Sequence, residues 1–126
     1  MLRIAGIQPS DEPDEEFILL QNQGVMKVML RGHVLAKDDA WQDYGELNTD
    51  RVYAFSDNVF VPPSAYVMLK TGFGFNGWRK SKDGSPVYCV YWNRDTSAWS
   101  QHELTVHLLQ VSHSKVVKTR IAERVG

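Results

Sequence analysis

A single cysteine, Cys89, is all that the 126 residues contain, so no intrachain disulfide can hold the fold together. Long apolar runs are missing too: nothing approaches the ~20 residues that a membrane-spanning helix needs. The apolar patch at residues 1–7 is too short for a secretory signal core. Gln8-Pro9-Ser10-Asp11 follows it, with no small-residue cleavage site. With neither signal nor disulfide in view, a cytoplasmic location is the expectation if the chain is complete. Charge of one sign is not in excess either. Lys and Arg number 14 against 15 Asp and Glu, a net −1, which leaves no global field toward nucleic acid or membrane. Internal repeats and low-complexity segments are absent, so residues 1–126 read as one domain of ordinary size.

What the chain has is short β-rich runs between turn residues. Leu2, Ile4 and Gly6 alternate with Arg3, Ala5 and Ile7, which suggests a first strand. Pro9 and Pro13 bracket a breaker. Phe17-Ile18-Leu19-Leu20 is a continuous apolar run, as in a strand covered on both faces, and Asn22-Gln23-Gly24 turns the chain after it. Val28, Leu30, Gly32 and Val34 alternate with Lys27, Met29, Arg31 and His33, which predicts one continuous strand with a wet face. Residues 36–51, rich in Asp, read as a loop holding at most one helical turn. Val52-Tyr53-Ala54-Phe55-Ser56 is a short strand closed by Asp57-Asn58. Val59-Phe60-Val61 then runs into Pro62-Pro63, which supplies no ladder donors. Residues 65–71, 87–92 and 104–111 are strands. Residues 72–78 are a glycine-rich aromatic loop, 79–86 a basic loop and turn, and 116–121 a last strand or tail. Trp92 and Trp99 are large enough to anchor the core. Eight or nine strands without an amphipathic helix predict an all-β fold and exclude a doubly wound α/β architecture.

Several of these patterns come in the order seen in one family. Arg3-Ile4-Ala5-Gly6-Ile7 precedes an acidic loop. Glu16-Phe17-Ile18-Leu19-Leu20-Gln21-Asn22 then looks like an acidic-aromatic-aliphatic strand ending in Asn. Leu30-Arg31-Gly32-His33-Val34-Leu35 resembles a Leu-x-Gly-aromatic-x-Leu strand. Val52-Tyr53-Ala54-Phe55, Val61-Pro62-Pro63-Ser64-Ala65-Tyr66-Val67 and Lys70-Thr71-Gly72 follow in order, with Tyr91-Trp92 and Trp99 before the last hairpin. Over residues 2–119 the chain resembles the lamin tail domain, in its bacterial form. The resemblance implies an immunoglobulin-like β-sandwich of eight or nine strands that works as a structural or interaction module. Bacterial relatives are often appended to secreted or surface enzymes, so an accessory domain of a larger enzyme is an alternative.

Motifs that could carry chemistry are few. Gly72-Phe73-Gly74-Phe75-Asn76-Gly77 spells a dinucleotide fingerprint, but no helix pattern follows to hold a pyrophosphate. The histidines His33, His102, His107 and His113 lack zinc-ligand spacing and read as ordinary surface or satisfied side chains. Cys89 sits mid-strand and reads as a small buried hydrophobe. Asp11, Glu12, Asp14, Glu15 and Glu16, like Asp38, Asp39 and Asp43, read as solvated acidic loops. Residues 1–63 hold eleven acids against five bases, and 64–126 four against nine, an asymmetry that intermingled strands would dilute. No catalytic, cofactor-binding or metal-binding residue is singled out, no cofactor is expected, and the chain reads as no enzyme.

One patch stands apart. Phe73, Phe75 and Trp78 lie beside Arg79, Lys80 and Lys82, rings next to cations. These six are the candidate partner-binding residues. A protein partner is the expectation and nucleic acid the second, weaker class; a small-molecule substrate is not expected. The alternative is a small sandwich binding carbohydrate or nucleic acid through loop aromatics. The competing reading of the rings is a cap folded back on the core.

Overall fold

The computed structural model describes residues 1–41, 51–99 and 105–111, apart from the side chains at 39 and 41. Among these residues the fold is mostly β. The strands are β1 (Leu2–Gln8), β2 (Phe17–Asn22), β3 (Val28–Met29), β4 (His33–Lys37), β5 (Val52–Ala54), β6 (Phe60–Val61), β7 (Tyr66–Lys70), β8 (Gly77–Lys80), β9 (Pro86–Tyr91) and β10 (Val106–Gln110). Short 3-10 turns cover Pro13–Glu15 and Asp38–Trp41. No helix among the described residues is long and apolar enough to cross a membrane.

The strands form three sheets. Five run in the order β1-β2-β7-β9-β8, three in the order β10-β4-β5, and β3 pairs with β6. Every pair is antiparallel except β7 with β9, which run parallel with Met68 opposite Cys89. A parallel pair cannot be closed by a tight turn. The chain leaving β7 therefore passes over β9 and returns as the hairpin β8–β9, so β8 becomes the sheet's edge. That crossing positions the candidate site.

Side-chain periodicity explains which residues go inside. Ile18 and Leu20 of β2, Val67 and Leu69 of β7, and Tyr88 and Val90 of β9 share one face and join a single apolar cluster. Leu35 of β4, Val61 of β6, Phe55 and Trp99 complete it, so all three sheets contribute to one core. Each such buried side chain stabilises the fold by about 1.5–3 kcal/mol. In β1, Leu2 and Ile4 pack on this cluster, and so does Ile7, three residues on rather than two. A register shift between Ile4 and Gly6 resolves the mismatch: a bulge at Ala5 resets the alternation. Trp99 is the largest fully buried side chain. Trp92 is half-buried at the cluster's margin, tilted against Trp99 and covered by the Arg94 guanidinium 4.7 Å from its ring.

Several expectations need correction. Ten strands are seen among the described residues, against eight or nine expected. The continuous strand over 27–34 is two strands in different sheets, because Gly32 takes the left-handed φ of +96° and the His33 N–H turns back to the Leu30 carbonyl at 3.2 Å. The break reverses the faces: His33 is buried rather than wet, its Nδ1 3.0 Å from the Leu30 carbonyl oxygen. Residues 79 and 80 belong to β8 and not to a basic loop. Glu16 is not part of a solvated acidic loop; it is fully buried, while Asp11, Glu12, Asp14 and Glu15 are exposed. The expectations for Asp43, His102, His113, the side chain of Asp39 and the strand at 116–121 lie outside the described residues.

Candidate functional site

The crossing begins at Thr71, whose carbonyl accepts the Arg94 N–H at 2.9 Å. The Gly72 N–H donates to Pro13 at 3.1 Å, and the Gly72 carbonyl accepts the Asn93 N–H at 3.0 Å. The Asn93 side chain then takes the Gly74 N–H at 3.1 Å. A Cβ on Gly74 would lie 2.4 Å from the Tyr91 ring, so this position is glycine for clearance. Asn76 completes the span: its Oδ1 accepts the Tyr91 N–H at 2.9 Å and its Nδ2 donates to Asp57 at 3.0 Å. Neither Gly72, Gly74 nor Gly77 has positive φ. The glycines, read above as one motif with a cofactor alternative, are followed by an edge strand, and the helix N-terminus such a motif needs is not there. The backbone is tied at every second residue.

On this tied backbone the rings point outward. Phe73 is 63% exposed, Phe75 88% and Trp78 42%. They do not cap the core. Among the described residues Trp78 alone of the three has a ring partner, edge-on to Tyr88 at 5.3 Å. Arg79 is exposed, but its guanidinium folds back, donating to the carbonyls of Phe75 at 3.1 Å and Trp78 at 3.2 Å. Those bonds cover part of an edge strand that is otherwise free to pair. Lys80 ends β8 and Lys82 sits in the turn, both exposed. In that turn Asp83 accepts the Ser81 hydroxyl and, at 2.9 Å, the Ser85 N–H, which hold its carboxyl down at about 2. All six candidate residues thus fall on the crossing and the β8–β9 hairpin.

A polar cluster beneath the crossing was not foreseen. The Tyr88 hydroxyl donates to Asp57, which also takes the Asn76 amide. Desolvation, then the Asp57 bond and its charge, push the Tyr88 phenol up to about 12. Desolvation and Asp57 do the same to Tyr53, also to about 12. In the sequence Asp57-Asn58 looks like a turn only; an Asp beside a strand of aromatics was the available signal. Cys89 is a buried free thiol, and burial pushes its pKa up against a smaller downward pull from Arg79 and Lys70. His107 is exposed and lies 2.7 Å from Asp38. Among the described residues no three His, Cys, Asp or Glu side chains gather so as to hold a metal ion.

Comparison with known proteins returns nothing: no protein-family model matches the chain, and neither curated proteins nor solved structures match it.

Proposed function

We propose that this chain is a non-catalytic interaction module, an immunoglobulin-like sandwich of the lamin-tail type, that docks a protein partner through Phe73, Phe75 and Trp78. Arg79, Lys80 and Lys82 flank the contact and favour an acidic surface. One observation carries the reading: three large rings stand in solvent on a backbone that the fold holds in place. Exposed aromatics are uncommon on loops that neither pack nor bind, and fixing them beforehand lowers the entropic cost of association. Aromatic and Arg side chains are also the usual centres of binding energy at interfaces. The sandwich itself is supported by one apolar cluster drawing side chains from a five-stranded and a three-stranded sheet.

The test uses the whole chain as bait. Affinity capture is compared between the wild type, the triple variant Phe73→Ala, Phe75→Ala, Trp78→Ala, and the charge reversal Lys80→Glu, Lys82→Glu. The reading expects the same captured proteins to be lost from both variants while both remain cooperatively folded, with the melting temperature lowered by no more than about 10 °C. A captured set indifferent to the triple variant sinks the reading. Capture that disappears on nuclease treatment moves the surface to nucleic acid instead.

A further inference from the structure

The crossing has a second side. Asp14, Lys70, Gly72, Phe73 and Tyr91 line a pocket of about 240 Å³ where the parallel strands β7 and β9 end. That is below the ~300–1,000 Å³ of sites for drug-sized ligands, so the occupant is smaller. The pocket carries one charge of each sign. No ion pair joins Asp14 to Lys70, and the Asp14 carboxylate accepts no hydrogen bond among the described residues. The Lys70 ammonium hangs 5.8 Å from the centre of the Tyr91 ring. Two rings, Phe73 and Tyr91, supply apolar surface in the same lining.

The positions of these groups are built in. A Cβ on residue 72 would sit 2.1 Å from Asp14 Oδ1, so only glycine lets that carboxylate reach the pocket. Lys70 and Tyr91 are direct neighbours across the parallel pair. The Pro13 carbonyl holds the Gly72 N–H, which fixes the Asp14 turn to the crossing.

We infer that this pocket takes a free α-amino acid as its zwitterion. The ligand's ammonium group meets the Asp14 carboxylate, its carboxylate meets the Lys70 ammonium, and its side chain stacks on Phe73 or Tyr91. A ligand with one charge satisfies half of the pocket, and a neutral ligand satisfies neither pole. Exposed charge pairs are individually weak, so the dissociation constant falls in the millimolar range.

Amide shifts of the isotope-labelled whole chain test this. The probes are L-phenylalanine, phenethylamine (which lacks the carboxylate), hydrocinnamate (which lacks the ammonium) and methyl glucoside. Saturable shifts at Asp14, Gly72 and Phe73 are expected with L-phenylalanine, and binding about threefold weaker with each singly charged analogue. Asp14→Asn and Lys70→Met each lose a similar factor for L-phenylalanine, while their spectra elsewhere stay folded. Equal binding of the three aromatic probes overturns the inference, as does tighter binding of the glucoside. So does L-phenylalanine affinity unchanged in both variants, or no saturable shift at all. The pocket shares only Phe73 with the partner surface, so the two readings separate: Phe75→Ala with Trp78→Ala abolishes protein capture and leaves amino-acid binding intact.

Discussion

Two corners of the molecule invert the usual partition of side chains. At one, a carboxylate is inside: Glu16 is fully buried and its oxygens take four donors. These are the Thr71 hydroxyl at 2.7 Å, the Ala98 N–H at 2.7 Å, the Trp99 N–H at 3.2 Å and the Ser10 N–H at 3.3 Å. At the other, three rings are outside. The buried carboxylate is compensated within the fold, and the three donors from Thr71, Ala98 and Trp99 are themselves buried and would otherwise be desolvated orphans. Among the described residues, the exposed rings at 73, 75 and 78 have no such compensation beyond the ring contact of Trp78 with Tyr88. Glu16 is therefore explained by stability, whereas the rings point beyond the chain.

The sharpest break of this contrast compares the two directly. Glu16→Ala leaves four donors without their acceptor, two of them backbone groups beside the core, and should cost about 3–5 kcal/mol in urea denaturation. The triple ring variant should cost under about 1.5 kcal/mol, since surface substitutions stay near 0.5 kcal/mol each. Comparable losses would put the rings back in the core and remove the contrast.

The same contrast separates what the sequence reveals from what it hides. Strands β2, β7 and β9 were legible because their apolar residues are continuous or alternate. Strand β8 was not: Trp78, Arg79 and Lys80 are all exposed on an edge, so no period survives. Glu16 was hidden at the end of an acidic run, because its partners at 71, 98 and 99 lie 55 to 83 residues away. The ring patch was visible as composition, but its rigidity was not. The glycines there read only as a glycine-rich loop, whereas at 72 and 74 they make room for Asp14 and Tyr91. The bulge in β1 was hidden as well: plain alternation puts Ile7 on the face opposite Ile4, and only the register shift between Ile4 and Gly6 brings both onto the core.

The tryptophans sharpen the boundary between inside and margin. Trp99 is fully buried beside the Glu16 knot, and Trp99→Ala should cost about 3–5 kcal/mol. Trp92 is half-buried, and its replacement by Ala should cost about 1–2 kcal/mol, as less area returns to water. Denaturation midpoints of the two variants check the order. A reversal would mean that the 98–99 segment is held by Glu16 alone and not by its own packing.

The alkaline limb distinguishes the footing of the ring patch from the knot. Tyr53 and Tyr88 both titrate at about 12, above the ordinary 10, with Asp57 close to each. A raised pKa means that the folded state holds the proton more tightly. The stability these two contribute is whole below pH 10 and is lost as pH rises through 12. Tyrosinate absorbance should show two late phenols, and stability should decline over that window. Asp57→Asn should draw Tyr88 downward and flatten part of the decline. Two phenols titrating at 10 would mean that neither ring is desolvated and that Asp57 holds neither.

The smallest effect concerns strain at the end of β2. Asn22 is buried there, donating from Nδ2 to the carbonyls of Met26 at 2.8 Å and Val61 at 2.9 Å. Its backbone carbonyl accepts the Ser64 N–H at 2.8 Å, and that bond holds Ser64 at φ 70°, a left-handed conformation. A Cβ in that region costs roughly 1–2 kcal/mol, and the exposed Ser64 side chain gains no packing in return. Glycine removes the clash but enlarges the unfolded ensemble, which returns about half of the gain. Ser64→Gly should therefore stabilise the protein by about 0.5–1 kcal/mol, seen as a raised melting temperature. Gly32→Ala is the mirror experiment: at φ +96°, with the Val111 carbonyl 3.3 Å from the new Cβ, it should destabilise by about 1–2 kcal/mol. If Ser64→Gly instead lowered the melting temperature, the Asn22 knot would owe something to the serine itself, and the buried corner would not be held by backbone and carboxamide bonds alone.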